Sequence, residues 1–335
     1  MKTRPPAARP PVRPLLYLLV FTAGFAVMLV EITAPRILGP FFGTSAHVWT
    51  NVIGVILAAL SLGYYLGGRL ADRWPSPRLL AGIVMGGCAV TALTPVVAPV
   101  LGRAILPAGL GLGQAYDLLR FGSLVTAACV FFPPALLLAV VGPFTIRCVV
   151  AHDRVGRSAG TVYALGTVGS LLGTFLPTFV LIPWLGSRST VLGATAVLFL
   201  VALVVYLAHG GRARAALPVL LVLLAAWLVV GRTPIRPAQA GERLLGEGES
   251  AYQYVRASEV GAGDQRELRL QVNEPVTDYH SLWRPGRLLT GSYYDHYALL
   301  PYLLPEAVDA APASLSVLIL GLAGGVISRQ YHALF

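Results

Sequence analysis

The stretch Ser316-Val317-Leu318-Ile319-Leu320-Gly321-Leu322-Ala323-Gly324-Gly325-Val326-Ile327-Ser328-Arg329 decides how the chain is interpreted. An apolar, partly β-branched run meets a glycine cluster and then takes on a helical pattern. That is the strand–turn–helix opening of a nucleotide-binding α/β unit. Its glycines admit a close backbone approach to a ligand, and the helix N-terminus behind them favours polar or anionic groups. Taken alone, the cluster fits an ordinary loop or hairpin turn equally well. In Rossmann-type sites the acid that holds the ribose lies roughly 20 residues past the glycine turn, a position beyond Phe335. The expectation is a Rossmann-like α/β domain truncated after its first half, with no catalytic residue assigned within these 335 residues.

What precedes the cluster is of another kind. Of the 335 residues 56% are hydrophobic and only 12% are charged, a mix that excludes an ordinary soluble domain and fits a multi-span membrane protein. The net charge of +10 does not mark a nucleic-acid binder, because the arginines cluster in short loops between apolar runs and no basic patch is interleaved with aromatics. Cys88, Cys129 and Cys148 lie in apolar runs without CxxC or metal spacing and behave as small core hydrophobes; the six histidines show no ligand spacing, so no metal site is assigned.

Residues 1–14, with Lys2, Arg4, Arg9 and Arg13, form a basic tail on the cytoplasmic side of a cell membrane. Apolar runs follow near 15–34, 47–67, 79–101, 121–149, 159–182, 189–208 and 215–230. All but the last approach or exceed the roughly 20 residues that cross a bilayer; the last suits either a tilted or an interfacial helix. Residues 15–231 are thus a multi-pass helical domain of six to seven spans with the lipid bilayer as its partner. Pro133, Pro134 and Pro143 predict a kink, and Gly160, Ala164, Gly166, Gly169, Ser170 and Gly173 predict close helix packing. Within the first span, Glu31 is expected to reach the interface and pair with Arg36, while Asp117 falls in a loop beside Arg120. Basic residues place the loops near 69–78, 147–157 and 209–214 with the N-terminus. If 215–230 crosses, everything after it lies on the opposite face.

At Arg232 the composition changes. Residues 232–248 are a Pro/Gly/Arg linker. Strands are predicted at 251–256 and 267–272 around a turn at 261–264, and a helix over 293–304 before Pro305.

The order of these pieces resembles the spermidine synthases. Glu249-Ser250-Ala251-Tyr252-Gln253-Tyr254-Val255 is similar to the Glu-x-x-Ser-x-Tyr-Gln pattern of their small β domain. Leu268-Arg269-Leu270, Tyr293-Tyr294-Asp295 and Leu320-Gly321-Leu322-Ala323-Gly324-Gly325 follow in the family's order. The likeness is closer to the membrane-bound branch, in which a half-transporter-like helical array precedes the synthase domain. There the loop 63–74, with Asp72 and Arg73, and the run 160–169 also look familiar; that loop is similar to the one between the second and third helices of major-facilitator transporters.

By this resemblance residues 249–335 are the N-terminal part of a synthase domain: a small β domain and the truncated start of a Rossmann-like α/β domain of methyltransferase type. Gln253, Gly321, Gly324 and Gly325 match positions that hold the donor, decarboxylated S-adenosylmethionine. Tyr294 and Asp295 match positions beside a polyamine acceptor such as putrescine. The resemblance also implies a homodimer through the β domain. Where soluble family members carry an Asp-Glu pair and Tyr-His around this helix, the chain has Ser292 to Asp295. Two alternatives stand beside an aminopropyltransferase: a transporter-like or scaffold membrane protein whose synthase-like part only binds or regulates, and an S-adenosylmethionine-dependent methyltransferase.

Overall fold

The computed structural model describes residues 12–105, 112–150, 155–273, 279–303 and 316–335. Helices dominate it. They are α1 (Val12–Phe42), α2 (Ala46–Arg73), α3 (Pro77–Ile105), α4 (Leu112–Ala139), α5 (Val141–Val149), α6 (Val155–Leu176), α7 (Ile182–Ala208) and α8 (Leu217–Arg232). A small antiparallel sheet follows, built from β1 (Glu242–Glu249), β2 (Tyr254–Val260), β3 (Glu267–Val272) and β4 (Ser281–Trp283) in that order, and then the short helices α9 (Tyr294–Tyr297) and α10 (Val326–Leu334).

Among the described residues six helical segments are long and apolar enough to cross a membrane: Arg13–Phe42, Ala46–Arg73, Pro77–Ile105, Leu118–Val149, Val155–Ala208 and Ala213–Arg232. The fifth is too long for one pass, and the chain folds back within it. A π-helical turn at Pro177–Leu181 precedes Gly186, whose φ of 76° and ψ of 162° leave the helix. Beyond it α7 runs back until Tyr206 meets Arg78 at the start of α3. The expected kink in 121–149 is a true break. Pro143 has no N–H for the Ala139 carbonyl, and α4 stops at Ala139 with α5 restarting at Val141.

Glycines set the helix spacing. A Cβ on Gly169 or Gly173 would collide with the Phe21 or Phe25 carbonyl of α1, and one on Gly24 with that of Gly166. Ser170 adds a hydrogen bond to the Gly24 carbonyl, 3.3 Å. This seam holds α1 and α6 side by side and pointing the same way, whereas Gly160 and Ala164 are exposed.

Several local expectations are corrected. Asp117 lies inside α4, not in a loop, and its side chain is outside the described residues. Most of the basic tail, residues 150–154 in part, and the predicted helix end at 304 and 305 are also outside them. Glu31 and Arg36 do not pair. Five residues apart on a helix they lie on different faces, and Arg36 instead donates to the carbonyls of Ser250 and Ala251. The supposed linker contains β1, whose residue Leu245 is accommodated by a register shift between Leu244 and Gly246. The helix predicted over 293–304 is one turn, Tyr294–Tyr297, followed by a 3-10 turn at Leu300–Leu303. The strand predicted at the glycine cluster does not form. Leu318 and Leu320 are 83% and 88% exposed, and among the described residues no ladder partner lies beside them. A β-branched run becomes a strand only where a neighbour takes its backbone groups.

The sheet has two faces of different use. Cross-strand pairing puts Arg256 opposite Gln271 and Ser258 opposite Arg269 on one face. That face meets the segment leaving α8: Arg256, with no exposed surface, pairs with Glu242 at 2.8 Å and donates to the Arg236 carbonyl. Ala257, Leu270 and Ser281 line up on the other face, toward the glycine cluster.

The whole polar part sits at one end of the helices. Glu249 accepts the Ser187 N–H at 2.6 Å, where α7 restarts after Gly186. Arg188 donates to the Thr233 carbonyl and hydroxyl, both at 3.0 Å, and Glu247 accepts the Ile235 N–H at 2.6 Å and the Tyr254 hydroxyl at 2.7 Å. The opposite end, where α1 begins, carries exposed Arg69, Arg73, Arg78, Arg147, Arg157, Arg212 and Arg214.

Candidate functional site

Residues 321–325 form a tight turn, with φ of 92° at Gly321, 45° at Ala323 and 73° at Gly325. The positive values at Gly321 and Gly325 suit glycine alone without strain. Gly324 is needed for a second reason. Its N–H donates to Ser281 Oγ at 2.7 Å, and an added Cβ would lie 2.7 Å from Ser281 Cβ. The turn is thereby clamped to β4. A Cβ at Gly321 or Gly325 would meet nothing within 4 Å, so the space above the turn is open.

The turn leads directly into α10, whose Arg329 N–H bonds the Gly325 carbonyl at 3.0 Å. No side chain caps that helix. The first N–H groups of a helix have no intrahelical acceptor and present a positive dipole end. Gln330, fully buried, ties α10 down by donating to Asp295 Oδ1 at 2.6 Å and to the Leu288 carbonyl at 3.3 Å. Arg329 lies over the Trp283 ring, 5.7 Å from its centroid.

Asp295 therefore joins the unit through its neighbours. Besides Gln330 it accepts the Thr290 N–H (2.9 Å), the Thr290 hydroxyl (3.0 Å) and the Gly291 N–H (2.7 Å). Burial pulls its pKa upward, but these donors outweigh burial and hold the carboxyl below its usual range. Three donors on Oδ1 and one on Oδ2 make it a brace for α10. Tyr294 is buried and donates to the Tyr279 carbonyl at 3.0 Å. Its neighbour Tyr293 is the exposed ring, tilted 34° to it with centroids 4.0 Å apart. The nearby Glu267 is engaged by Arg269 at 2.7 Å and Arg284 at 2.6 Å, which keep its pKa low against the effect of burial. Neither carboxylate is free to take a proton from an amine.

The structure brings Gly321, Gly324, Gly325, Tyr294 and Asp295 into one unit, joined through Ser281 and Gln330. It does not bring Gln253 there. Gln253 is exposed in the turn between β1 and β2, where its N–H and carbonyl bond Ser250, and Arg36 of α1 grips the same turn. Ser281 and Gln330 carry no signal in the sequence; a short Ser-Leu-Trp strand and one helical glutamine become meaningful only once the glycine turn lies against them. No family model matches the chain, and no curated protein or solved structure is significantly similar to it.

Proposed function

We propose that the chain is a membrane-anchored, spermidine synthase-like protein whose helices carry a donor-binding unit at one end. The glycine turn carries this reading. Gly321 and Gly325 leave open space above the backbone, Gly324 fixes the turn to the sheet, and uncapped N–H groups of α10 face outward from it. In this reading the turn takes the nucleoside part of decarboxylated S-adenosylmethionine and the exposed Tyr293 ring flanks the acceptor amine. Asp295 and Tyr294 hold the frame and do not touch the substrate. Aminopropyl transfer also requires a base, since the attacking amine is protonated near neutral pH; none is assigned among the described residues.

The distribution of arginine favours a second reading. In this reading the basic end of the bundle is the cytoplasmic face, and the sheet stands at the other end. A donor made in the cytosol would not reach it, and the polar part would then serve binding or scaffolding outside.

Equilibrium binding of decarboxylated S-adenosylmethionine to the detergent-purified chain tests the first reading. Gly321→Val and Gly325→Val are expected to weaken binding at least about tenfold, because valine does not adopt these φ values without strain of order 1–3 kcal/mol. Absence of binding by the unaltered chain overturns the donor site. Impermeant thiol labelling of Arg214→Cys and of Tyr252→Cys, whose side chain is 90% exposed, decides the side. Labelling from opposite faces fits seven passes and the second reading.

A further inference from the structure

At the basic end of the bundle a groove of about 500 Å³ opens between the start of α3 and the end of α7, lined by Ser76, Arg78, Leu79, Gly82, Ile83 and Tyr206. Its upper part is polar and its lower part apolar. Position explains the division, since α3 begins at Pro77 and α7 ends at Ala208, where hydrocarbon gives way to headgroups. The groove exists because residue 82 is glycine: the nearest atom to a Cβ there is the Tyr206 ring at 3.9 Å, so nothing fills the space.

Arg78 is exposed and lies over the Tyr206 ring, 5.4 Å from its centroid. Among the described residues it has no carboxylate partner. Held over the ring, the guanidinium can turn its N–H groups to a bidentate contact with phosphate oxygens. Charge at this end is one-sided. Among the described residues eight exposed arginines stand there, Arg13 at the start of α1 included, and the described acid among them, Asp72, is taken by Arg147 at 3.0 Å.

We propose that this groove seats an anionic phospholipid. Its phosphate lies on Arg78 and the Ser76 hydroxyl, and one acyl chain runs down past Leu79, Gly82 and Ile83. The apolar floor separates a lipid from free phosphate as occupant, and the excess of arginine separates an anionic lipid from a zwitterionic one.

The test is native mass spectrometry of the full chain in detergent, titrated with phosphatidylglycerol or phosphatidylcholine, with inorganic phosphate as competitor. Phosphatidylglycerol is expected to bind in preference to phosphatidylcholine, and excess inorganic phosphate is expected not to displace it. Arg78→Ala, which removes a charge-assisted hydrogen bond, is expected to weaken it about tenfold or more. Gly82→Leu keeps every charge but fills the floor, and is expected to weaken it similarly; it carries the test if Arg78→Ala does not fold. Arg157→Ala, on the same end but away from the groove, is expected to change binding less than about twofold. An equal loss with Arg157→Ala would mean diffuse attraction and overturn the site. So would equal binding of phosphatidylcholine, ready displacement by phosphate, or full binding by Gly82→Leu.

Discussion

At the end of the bundle where the chain begins, Arg69, Arg73, Arg78 and Arg157 stand exposed, and Asp72 with Arg147 forms an open pair whose side chains are 76% and 52% exposed. At the end that carries the sheet, Arg36, Arg188 and Arg256 are held by carbonyl and carboxylate oxygens of the polar part. The same residue type does different work at each end. An exposed guanidinium keeps its water and interacts weakly with any one neighbour. A buried one has lost its water, so every lost partner is felt in full. The junction is therefore where the polar part is fastened, and the basic end is where the array meets lipid and solvent.

The sharpest way to break this contrast is Arg256→Leu. It leaves Glu242 in place without its buried partner, and the expected loss is about 3–5 kcal/mol in the stability of the sheet. Hydrogen exchange of the β1 and β2 amides in detergent measures it, with the helices as internal control. Loss below about 1 kcal/mol would put the two ends on equal footing.

Acid should reach the same joint more gently. Burial raises the pKa of Glu242, but the Gln239 N–H, the Ser258 hydroxyl and the charges of Arg256 and Arg236 outweigh it, and the folded value lies below the ordinary 4.5. A depressed carboxyl stabilises the fold fully above its unfolded pKa, and the stabilisation is lost as pH falls through the lower folded value. A fluorescent probe on Tyr252→Cys should thus report loosening only below about pH 4.5. The smallest effect belongs to Asp72→Asn. Its exposed pair with Arg147 should contribute less than about 1 kcal/mol, so thermal unfolding in detergent should barely shift.

Legibility in the sequence followed the same divide. The helical array is plain in the residues because a bilayer demands long apolar runs, and those runs became α1 to α8. The reversal inside 155–208 showed as two runs, 159–182 and 189–208. The polar part was less legible, because its elements depend on partners far away in sequence. Glu242 to Glu249 looks like a linker, since Gly246 and Gly248 spoil the alternation, yet pairing with β2 makes it a strand. Val317 to Leu320 looks like a strand but finds no pairing strand among the described residues. The glycines of the candidate site were visible from their spacing. The use of Asp295 was not, since only Thr290, Gly291 and Gln330 in place show that its oxygens are occupied.

One contact also orders events in time. The Ser187 N–H, where α7 restarts after the reversal, is capped by Glu249, 62 residues further along. A ribosome releases α6 and the turn at Gly186 well before it makes that carboxylate. The hairpin of α6 and α7 must then enter the membrane with its turn uncapped and wait for β1. The turn of that hairpin is closed only when the first strand of the polar part arrives, so a ribosome stalled between Arg232 and Glu242 leaves α1 to α8 made and that turn still open.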